Sequence, residues 1–225
     1  MPRTVALPLL CLLPVIALTL SAGAAVAQYG PADPVPDAMT GDAPWLEVVL
    51  EGGAVAPLGD LAAGFTNTNH GMGAELGYAL GVRTRFYLTR TLTVAPSFTY
   101  VELGDHDGLT PAGERFKVVP SILRYGIDLS WVSPGERGQV RLLAGLGLAV
   151  LRNRYRDEVP EEETFYEAAA NSIAPSLRAG LRWRDLELSL QYEFDRFATG
   201  RFTADLRERD FTWDHVVVRL GYVLP

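Results

Sequence analysis

The sequence predicts an all-β fold, an eight-stranded antiparallel up-and-down transmembrane β-barrel. Two observations support this prediction. Eight segments alternate apolar and polar residues with a period of two, as strands with two different faces do. The connections between these segments are alternately short and long, which is typical of a membrane barrel with turns at one end and loops at the other.

The predicted strands are long enough for a tilted strand to cross a bilayer. The clearest is LELSLQYEFD (186–195), in which every even position is leucine or aromatic and every odd position is polar or charged. Such a strand has one apolar and one charged face. The eight predicted strands are 45–56, 74–87, 91–102, 116–131, 139–153, 173–183, 186–195 and 212–224.

The apolar face of each strand can be followed along the chain. On the first four strands it consists of Leu46, Val48 and Leu50; Leu76, Tyr78, Leu80, Val82 and Phe86; Leu92, Val94, Phe98 and Tyr100; and Val119, Leu123, Tyr125, Ile127, Leu129 and Trp131. On the last four it consists of Val140, Leu142, Leu146, Leu148 and Val150; Leu177, Ala179, Leu181 and Trp183; Leu186, Leu188, Leu190, Tyr192 and Phe194; and Val216, Val218, Leu220, Tyr222 and Leu224. Several aromatic members lie near strand ends, as they do in the two interfacial girdles of membrane barrels.

The connections fall into two length classes. The short ones lie around 89–90, 133–138 and 184–185. The long ones are 57–73, 103–115, 154–172 and 198–211. A sandwich with Greek-key links has no reason to alternate in this way, whereas an up-and-down membrane barrel does.

The polar faces carry acidic and basic residues in equal number, although the whole chain is acidic. An enclosed interior needs this balance because an unpaired charge out of water is expensive. Glycine and alanine share these faces, which suits the narrow interior of an eight-stranded ring. We therefore predict a charge network in the lumen, made of Glu47, Glu51, Glu75, Asp128, Glu187, Glu193 and Asp195 with Arg83, Arg85, Arg124, Arg141, Arg178, Arg182 and Arg219.

The N-terminal part of the chain lies outside the predicted barrel. Residues 1–27 have the charged, apolar and small-residue regions of a signal peptide, and 28–43 form a linker rich in proline and aspartate. The barrel domain is predicted over 44–225. Cys11, the single cysteine, lies in the signal peptide, so thiol chemistry is not expected. The net charge of −7 speaks against nucleic acid as a partner.

Three stretches of the chain carry a family likeness: LEVVLEGGAVAPLGDL, GYALGVRTRFYL and VVVRLGYVL. They resemble small outer-membrane β-barrel proteins, such as the OmpA transmembrane domain and OmpX-like proteins. Gly221, Tyr222 and Leu224 look like the terminal assembly signal of these families. The resemblance implies a monomer in the bacterial outer membrane, in contact with outer-membrane lipid, lipopolysaccharide and the barrel-assembly machinery. It also implies a structural or surface-interaction role, with four extracellular loops.

Two other functions remain alternatives. A soluble periplasmic lipocalin-like carrier would place the apolar face inside to hold a ligand. A lipid-modifying enzyme would need a hydroxyl beside a histidine that an acid orients. The candidate histidines are His70, His106 and His215. His215 has Asp214 beside it, but adjacent residues of a strand point to opposite faces. No catalytic residue, cofactor or metal site is predicted. Whether the acidic stretch 157–163 binds divalent cations stays open, as does lipopolysaccharide binding by Arg201, Arg207 and Arg209.

Overall fold

The computed structural model describes residues 45–63, 73–109, 115–134, 139–159, 164–198 and 210–224. The predicted signal peptide and linker, 1–27 and 28–43, lie outside these residues. In the described ranges the chain forms one short helix, α1 (Gly59–Ala62), and eleven strands. The strands are β1 (Leu46–Pro57), β2 (Glu75–Tyr87), β3 (Leu92–Gly104), β4 (His106–Leu109), β5 (Arg115–Val132), β6 (Val140–Val159), β7 (Thr164–Trp183), β8 (Leu186–Glu193), β9 (Arg196–Ala198), β10 (Asp210–Thr212) and β11 (His215–Leu224).

Eight of these strands close into a ring. Their order is β3-β2-β1-β11-β8-β7-β6-β5, and a further pairing of β3 with β5 completes the circle. Every pairing is antiparallel, and the first and last strands meet with Val48 opposite Leu224. Within the ring, every strand therefore has a partner on both sides. The predicted eight-stranded, antiparallel, up-and-down barrel is confirmed.

No helix in the described part of the chain is long and apolar enough to cross a membrane.

One predicted connection is a strand pair instead. The sequence predicts a loop over 154–172, but β6 and β7 are each 20 residues long and pair without interruption from Val140–Trp183 to Val159–Thr164. Only 160–163 separate them. Backbone pairing does not require an apolar face, so polar residues extend this hairpin past the apolar part of the barrel. A smaller difference of the same kind is β4, which pairs with β5 inside the predicted loop 103–115.

Each barrel strand has an apolar outer face and a buried inner face. On β8, Leu186, Leu188 and Leu190 are 42–52% exposed, whereas Glu187 and Gln191 are almost completely buried. Membrane barrels have this arrangement, the reverse of soluble ones. The outer apolar belt includes Leu50, Leu80, Ile127, Leu129, Trp131, Leu142, Leu146, Leu148, Val150, Ile173, Leu177, Leu181, Trp183, Val218, Leu220, Tyr222 and Leu224.

The interior also contains an apolar cluster at the long-loop end, which the sequence analysis does not predict. Leu61 of α1 and Trp213, between β10 and β11, are both fully buried there. Asp60 and Thr212 hold the two segments together: the Asp60 backbone N–H donates to Thr212 Oγ1 (3.1 Å) and the Thr212 N–H to Asp60 Oδ2 (3.0 Å). The cluster is completed by Ala74, just before β2, and by strand residues: Val55, Ala79, Val101, Leu103, Ile122, Ala149, Leu151, Ala174 and Val217.

Candidate functional site

The lumen is the candidate functional site because eleven charged side chains of the strands are buried in it. Strand alternation turns each of these side chains inward, since its sequence neighbours belong to the outer belt. Of the fourteen residues predicted for the lumen network, twelve are buried: Glu47, Glu51, Arg83, Arg85, Arg124, Asp128, Arg178, Arg182, Glu187, Glu193, Asp195 and Arg219. Three layers of contacts can be followed from the short-turn end upward.

The first layer is centred on Glu47, near the short turns. Arg182 approaches it with both terminal nitrogens, Nη1 to Oε2 at 2.6 Å and Nη2 to Oε1 at 2.8 Å. Arg85 Nη1 lies 2.9 Å from Oε2, and the Tyr87 hydroxyl donates to the same oxygen at 2.9 Å. A two-pronged arginine–carboxylate contact fixes orientation as well as charge. It connects β7 to β1, which do not pair in the sheet.

The second layer is centred on Glu51, which has three arginine partners. Arg83 Nη2 lies 2.7 Å and Arg178 Nη2 2.5 Å from Oε1, and Arg219 Nη1 lies 3.2 Å from Oε2. Glu187 links this layer to the first, with Oε2 2.8 Å from Arg83 Nη2 and Oε1 2.6 Å from Arg85 Nη1. The Glu51 carboxylate thus accepts hydrogen bonds from arginines on β2, β7 and β11 together.

The third layer is centred on Arg124. Its Nε donates to both oxygens of Glu193, at 3.2 and 3.0 Å, and its Nη2 lies 3.0 Å from Asp128 Oδ1. Its Nη1 donates to Ser97 Oγ at 2.6 Å. A Cβ on Gly126 would lie 2.4 Å from Arg124 Nη1, so a larger residue at this position would force the guanidinium to move.

Two predicted members are not part of the buried network. Glu75 is exposed, because a bulge between Glu75 and Tyr78 shifts the register of β2 against β3 at the strand end. Its placement in the lumen was therefore wrong. Arg141 is only half-buried and lies opposite Arg182 on the neighbouring strand. Within the described ranges it has no carboxylate at ion-pair distance.

Asp195 is buried as expected but does not meet an arginine. Its Oδ2 accepts from Asn153 Nδ2 at 2.8 Å, and Ser172 also bonds to it. Asp195 follows the end of β8, beyond the outer apolar belt. Burial raises the pKa of its carboxyl to about 6, because the two neutral partners do not compensate for the lost water.

Several polar residues of the lumen are absent from the predicted network. Tyr87, Ser97, Asn153, Gln191 and Asp214 all bond to it or to its neighbours. The period-two pattern that predicts the charged residues also points Tyr87, Ser97 and Gln191 inward, so this signal could have found them. Asp214 follows no strand pattern, because it lies between two strands.

His215 is fully buried at the long-loop end of β11. Its Nδ1 lies 3.0 Å from the backbone oxygen of Trp213. The adjacent Asp214 instead accepts from the Tyr192 hydroxyl (2.8 Å) and the Asp195 N–H (2.9 Å). In the part of the chain that the structure covers, no serine or threonine hydroxyl is placed against this histidine. The acid–histidine–hydroxyl arrangement of nucleophilic catalysis is therefore not assembled there.

The other candidate residues are in the connections. Asp105 forms an ion pair with Lys117, whose hydrogen bond lowers the pKa of the Asp105 carboxyl. The backbone of His106 belongs to β4. No group of three or more metal-ligating side chains occurs among the described residues. Asp157 and Glu158 lie in β6, with side chains outside the description. His70, Glu161, Glu162, Glu163, Arg201, Arg207 and Arg209 also lie outside the described residues.

The predicted assembly signal lies on β11. Tyr222 and Leu224 are 48% and 38% exposed, so both project outward at the short-turn end. Gly221 lies between them in sequence and faces Glu51 and Glu187 on the two paired strands. Recognition by an assembly machinery stays a prediction.

No protein-family model and no curated protein matches the chain. Among solved structures it is similar to Neisserial surface protein A, with 10% sequence identity and a TM-score of 0.47, over 80% of this chain and 97% of that one. It is also similar to Ail, the attachment invasion locus protein of Yersinia pestis, with 12% identity and a TM-score of 0.41, over the same shares.

The ring topology, the apolar outer belt and the ionic interior define the class of protein. It is a closed, eight-stranded, antiparallel up-and-down β-barrel.

Proposed function

We propose that the protein is a bacterial outer-membrane barrel with a closed lumen. Its role is structural: a rigid barrel that displays its long connections for surface interaction. In this arrangement both chain termini and the short turns lie on the periplasmic side. The outer apolar belt supports the location, since it would be exposed to water in any soluble protein.

The closed lumen is supported above all by contacts between strands that are not neighbours. Glu51 on β1 meets Arg178 on β7, and Arg124 on β5 meets Glu193 on β8. Side chains that meet across the interior occupy the space that water and solutes would need. The apolar cluster around Trp213 fills the long-loop end in addition. An eight-stranded ring leaves little room beyond its own side chains.

The two alternatives are less well supported. A lipocalin-like carrier requires an apolar cavity inside and a polar face outside. The strand β8 has the opposite arrangement, with its leucines outside and its charged and polar residues inside. A lipid-modifying enzyme requires its reactive group to face lipid. His215 is 1% exposed and faces the interior, so a lipid chain in the surrounding membrane would not reach it.

Location and closure are tested separately. Membrane fractionation of cells that produce the full chain should place it in the outer membrane, and an unboiled sample should migrate differently from a boiled one. Recovery from the soluble periplasm with no change on boiling would contradict the proposed location. Purified protein in planar bilayers should show no large, steady conductance, with a large-pore porin as the positive control. Steady conductance would contradict the closed lumen.

A further inference from the structure

The three ionic layers of the lumen contain more guanidinium groups than carboxylates. Their six arginines are Arg83, Arg85, Arg124, Arg178, Arg182 and Arg219. Among the described residues, the ion-pair partners of these arginines are five carboxylates: Glu47, Glu51, Asp128, Glu187 and Glu193. The sixth buried carboxylate of the predicted network, Asp195, bonds to Asn153 and Ser172 instead. The layers therefore have an excess of one positive charge.

This excess is concentrated around Glu51. Arg83, Arg178 and Arg219 all approach its carboxylate. Arg83 also pairs with Glu187, whereas in the described ranges Arg178 and Arg219 share Glu51 alone. The two guanidinium groups repel each other across the lumen. A buried charge without a counter-charge is unfavourable, so an anion at this position would be stabilising.

Arg178 and Arg219 also have donors that the described part of the chain does not use. Nη2 of Arg178 donates to Glu51 and to Ser189 Oγ (2.8 Å), but its Nε and Nη1 are buried without a partner. Nη1 of Arg219 lies against Glu51, but its Nε and Nη2 are buried without a partner. The two side chains are 5% and 1% exposed. Buried donors in native proteins have acceptors, and these four nitrogens point to one that the protein does not supply.

The sheet register leaves room beside these donors. Arg219 on β11 belongs to a transverse row of inward positions with Ser189 on β8, Gly180 on β7 and Gly53 on β1. Arg178 lies two residues from Gly180 on the same inner face. Glycine and serine contribute little volume, so the long side chains of this region are flanked by small ones. The space suits a small ion rather than a larger organic anion.

We propose that Arg178 and Arg219 bind a halide ion, such as chloride, inside the barrel. A monovalent anion supplies the missing negative charge, which water cannot do. A spherical ion also accepts N–H groups from two guanidinium groups at once, whereas a carboxylate or phosphate favours the paired donors of a single one. This inference goes beyond the proposed function, since a halide site requires the folded barrel but neither a particular membrane nor a surface role.

The first test measures folding of the full chain in detergent micelles as a function of chloride. Sodium gluconate replaces sodium chloride so that the ionic strength stays constant. Gel mobility of unboiled samples gives the ratio of folded to unfolded protein at the urea midpoint. A ligand that binds only the folded state raises this ratio in proportion to its concentration once the site is largely occupied. We expect a tenfold rise in chloride to raise the ratio about five- to tenfold. An unchanged ratio would overturn the proposal.

The variant Arg219→Met locates the effect. It removes the excess charge and two of the unused donors, while Glu51 keeps Arg83 and Arg178 as partners. The same rise in chloride should then change the ratio by less than about twofold. The matched control is Arg184→Met, which removes an exposed arginine at the short-turn end and should keep the wild-type response. A full response to chloride in Arg219→Met would place the effect elsewhere and overturn the proposal.

Diffraction from wild-type crystals grown in sodium bromide tests the site directly and needs no variant. Bromide replaces chloride and is identified by its anomalous scattering. We expect a bromide peak in the lumen within hydrogen-bond distance of both Arg178 and Arg219. Bromide peaks only on the outer surface, or none at all, would overturn the proposal. This measurement also decides the matter if Arg219→Met does not fold.

Discussion

The barrel interior contains two regions of different chemistry, and the same strands pass through both. On β1, Glu51 belongs to the ionic layers and Val55, four residues later, belongs to the apolar cluster. On β11, Arg219 and Val217 are divided in the same way. Alternation directs all four side chains inward. Alternation therefore determines whether a side chain points into the lumen. Whether a charge is stable at that position depends on the side chains that face it across the lumen.

The two regions are also held together differently. In the ionic layers, strand residues bind one another at fixed distances across the lumen. In the apolar cluster, the space is filled by Leu61 and Trp213, which come from segments between the strands. Loss of one charge should therefore affect several strands at once, whereas loss of an apolar side chain should act mainly at the long-loop end. Four predictions test this contrast.

The largest effect is expected for Glu51→Gln. Three arginines would lose their shared carboxylate, and an uncompensated buried charge costs about 3–5 kcal/mol of unfolding free energy. The measurement is the urea concentration at which the unboiled gel form disappears in lipid vesicles. Glu75→Gln, at an exposed glutamate, serves as the control and should leave this midpoint within error. Equal midpoints for the two variants would show that the ionic layers are dispensable.

The second effect concerns Trp213→Ala in the apolar cluster. Removal of a buried tryptophan costs about 3 kcal/mol when the surroundings partly collapse into the space. Since α1 packs at the same end, we expect increased hydrogen exchange at Leu61 and its neighbours with little change around Glu47. A uniform increase along all strands would contradict the separation of the two regions.

Much of this contrast could be predicted from the sequence, and the limits have physical causes. The inward direction of Glu51, Arg178 and Glu187 follows from local alternation. Which arginine meets which carboxylate depends on the tilt and stagger of the ring, which no single strand contains. The bulge that exposes Glu75 and the burial of Trp213 arise from strand ends and connections, where alternation stops.

The third prediction concerns pH and the boundary between the regions. The pKa of Asp195 is raised to about 6 in the folded protein, above the ordinary value of 3.8. The unfolded state then binds fewer protons between these values, so stability falls as pH rises from about 4 to about 6. Asp195→Asn should remove this dependence and raise the unfolding free energy at pH 7.5 by about 3 kcal/mol. The measurement is the urea midpoint at pH 5 and pH 7.5.

The matched control for that prediction is again Glu75→Gln, which should keep the wild-type difference between the two pH values. A D195N variant with an unchanged pH dependence would assign the effect to another group. Asp195 would then no longer serve as an intermediate between the ionic layers and the apolar cluster, as a buried acid with neutral partners.

The smallest effect is expected for Arg141→Gln at the short-turn end. Arg141 lies directly opposite Arg182, and like charges in such pairs repel. Arg141 is half-buried and has no carboxylate at ion-pair distance in the described ranges. Its loss should therefore change the unfolding free energy by less than about 0.5 kcal/mol, or increase that free energy slightly. The measurement is the urea midpoint. Arg182→Gln, one strand away, should be strongly destabilising because Glu47 would lose its two-pronged partner. A large loss from Arg141→Gln would mean that location in the ionic region, rather than pairing, determines what a charge contributes.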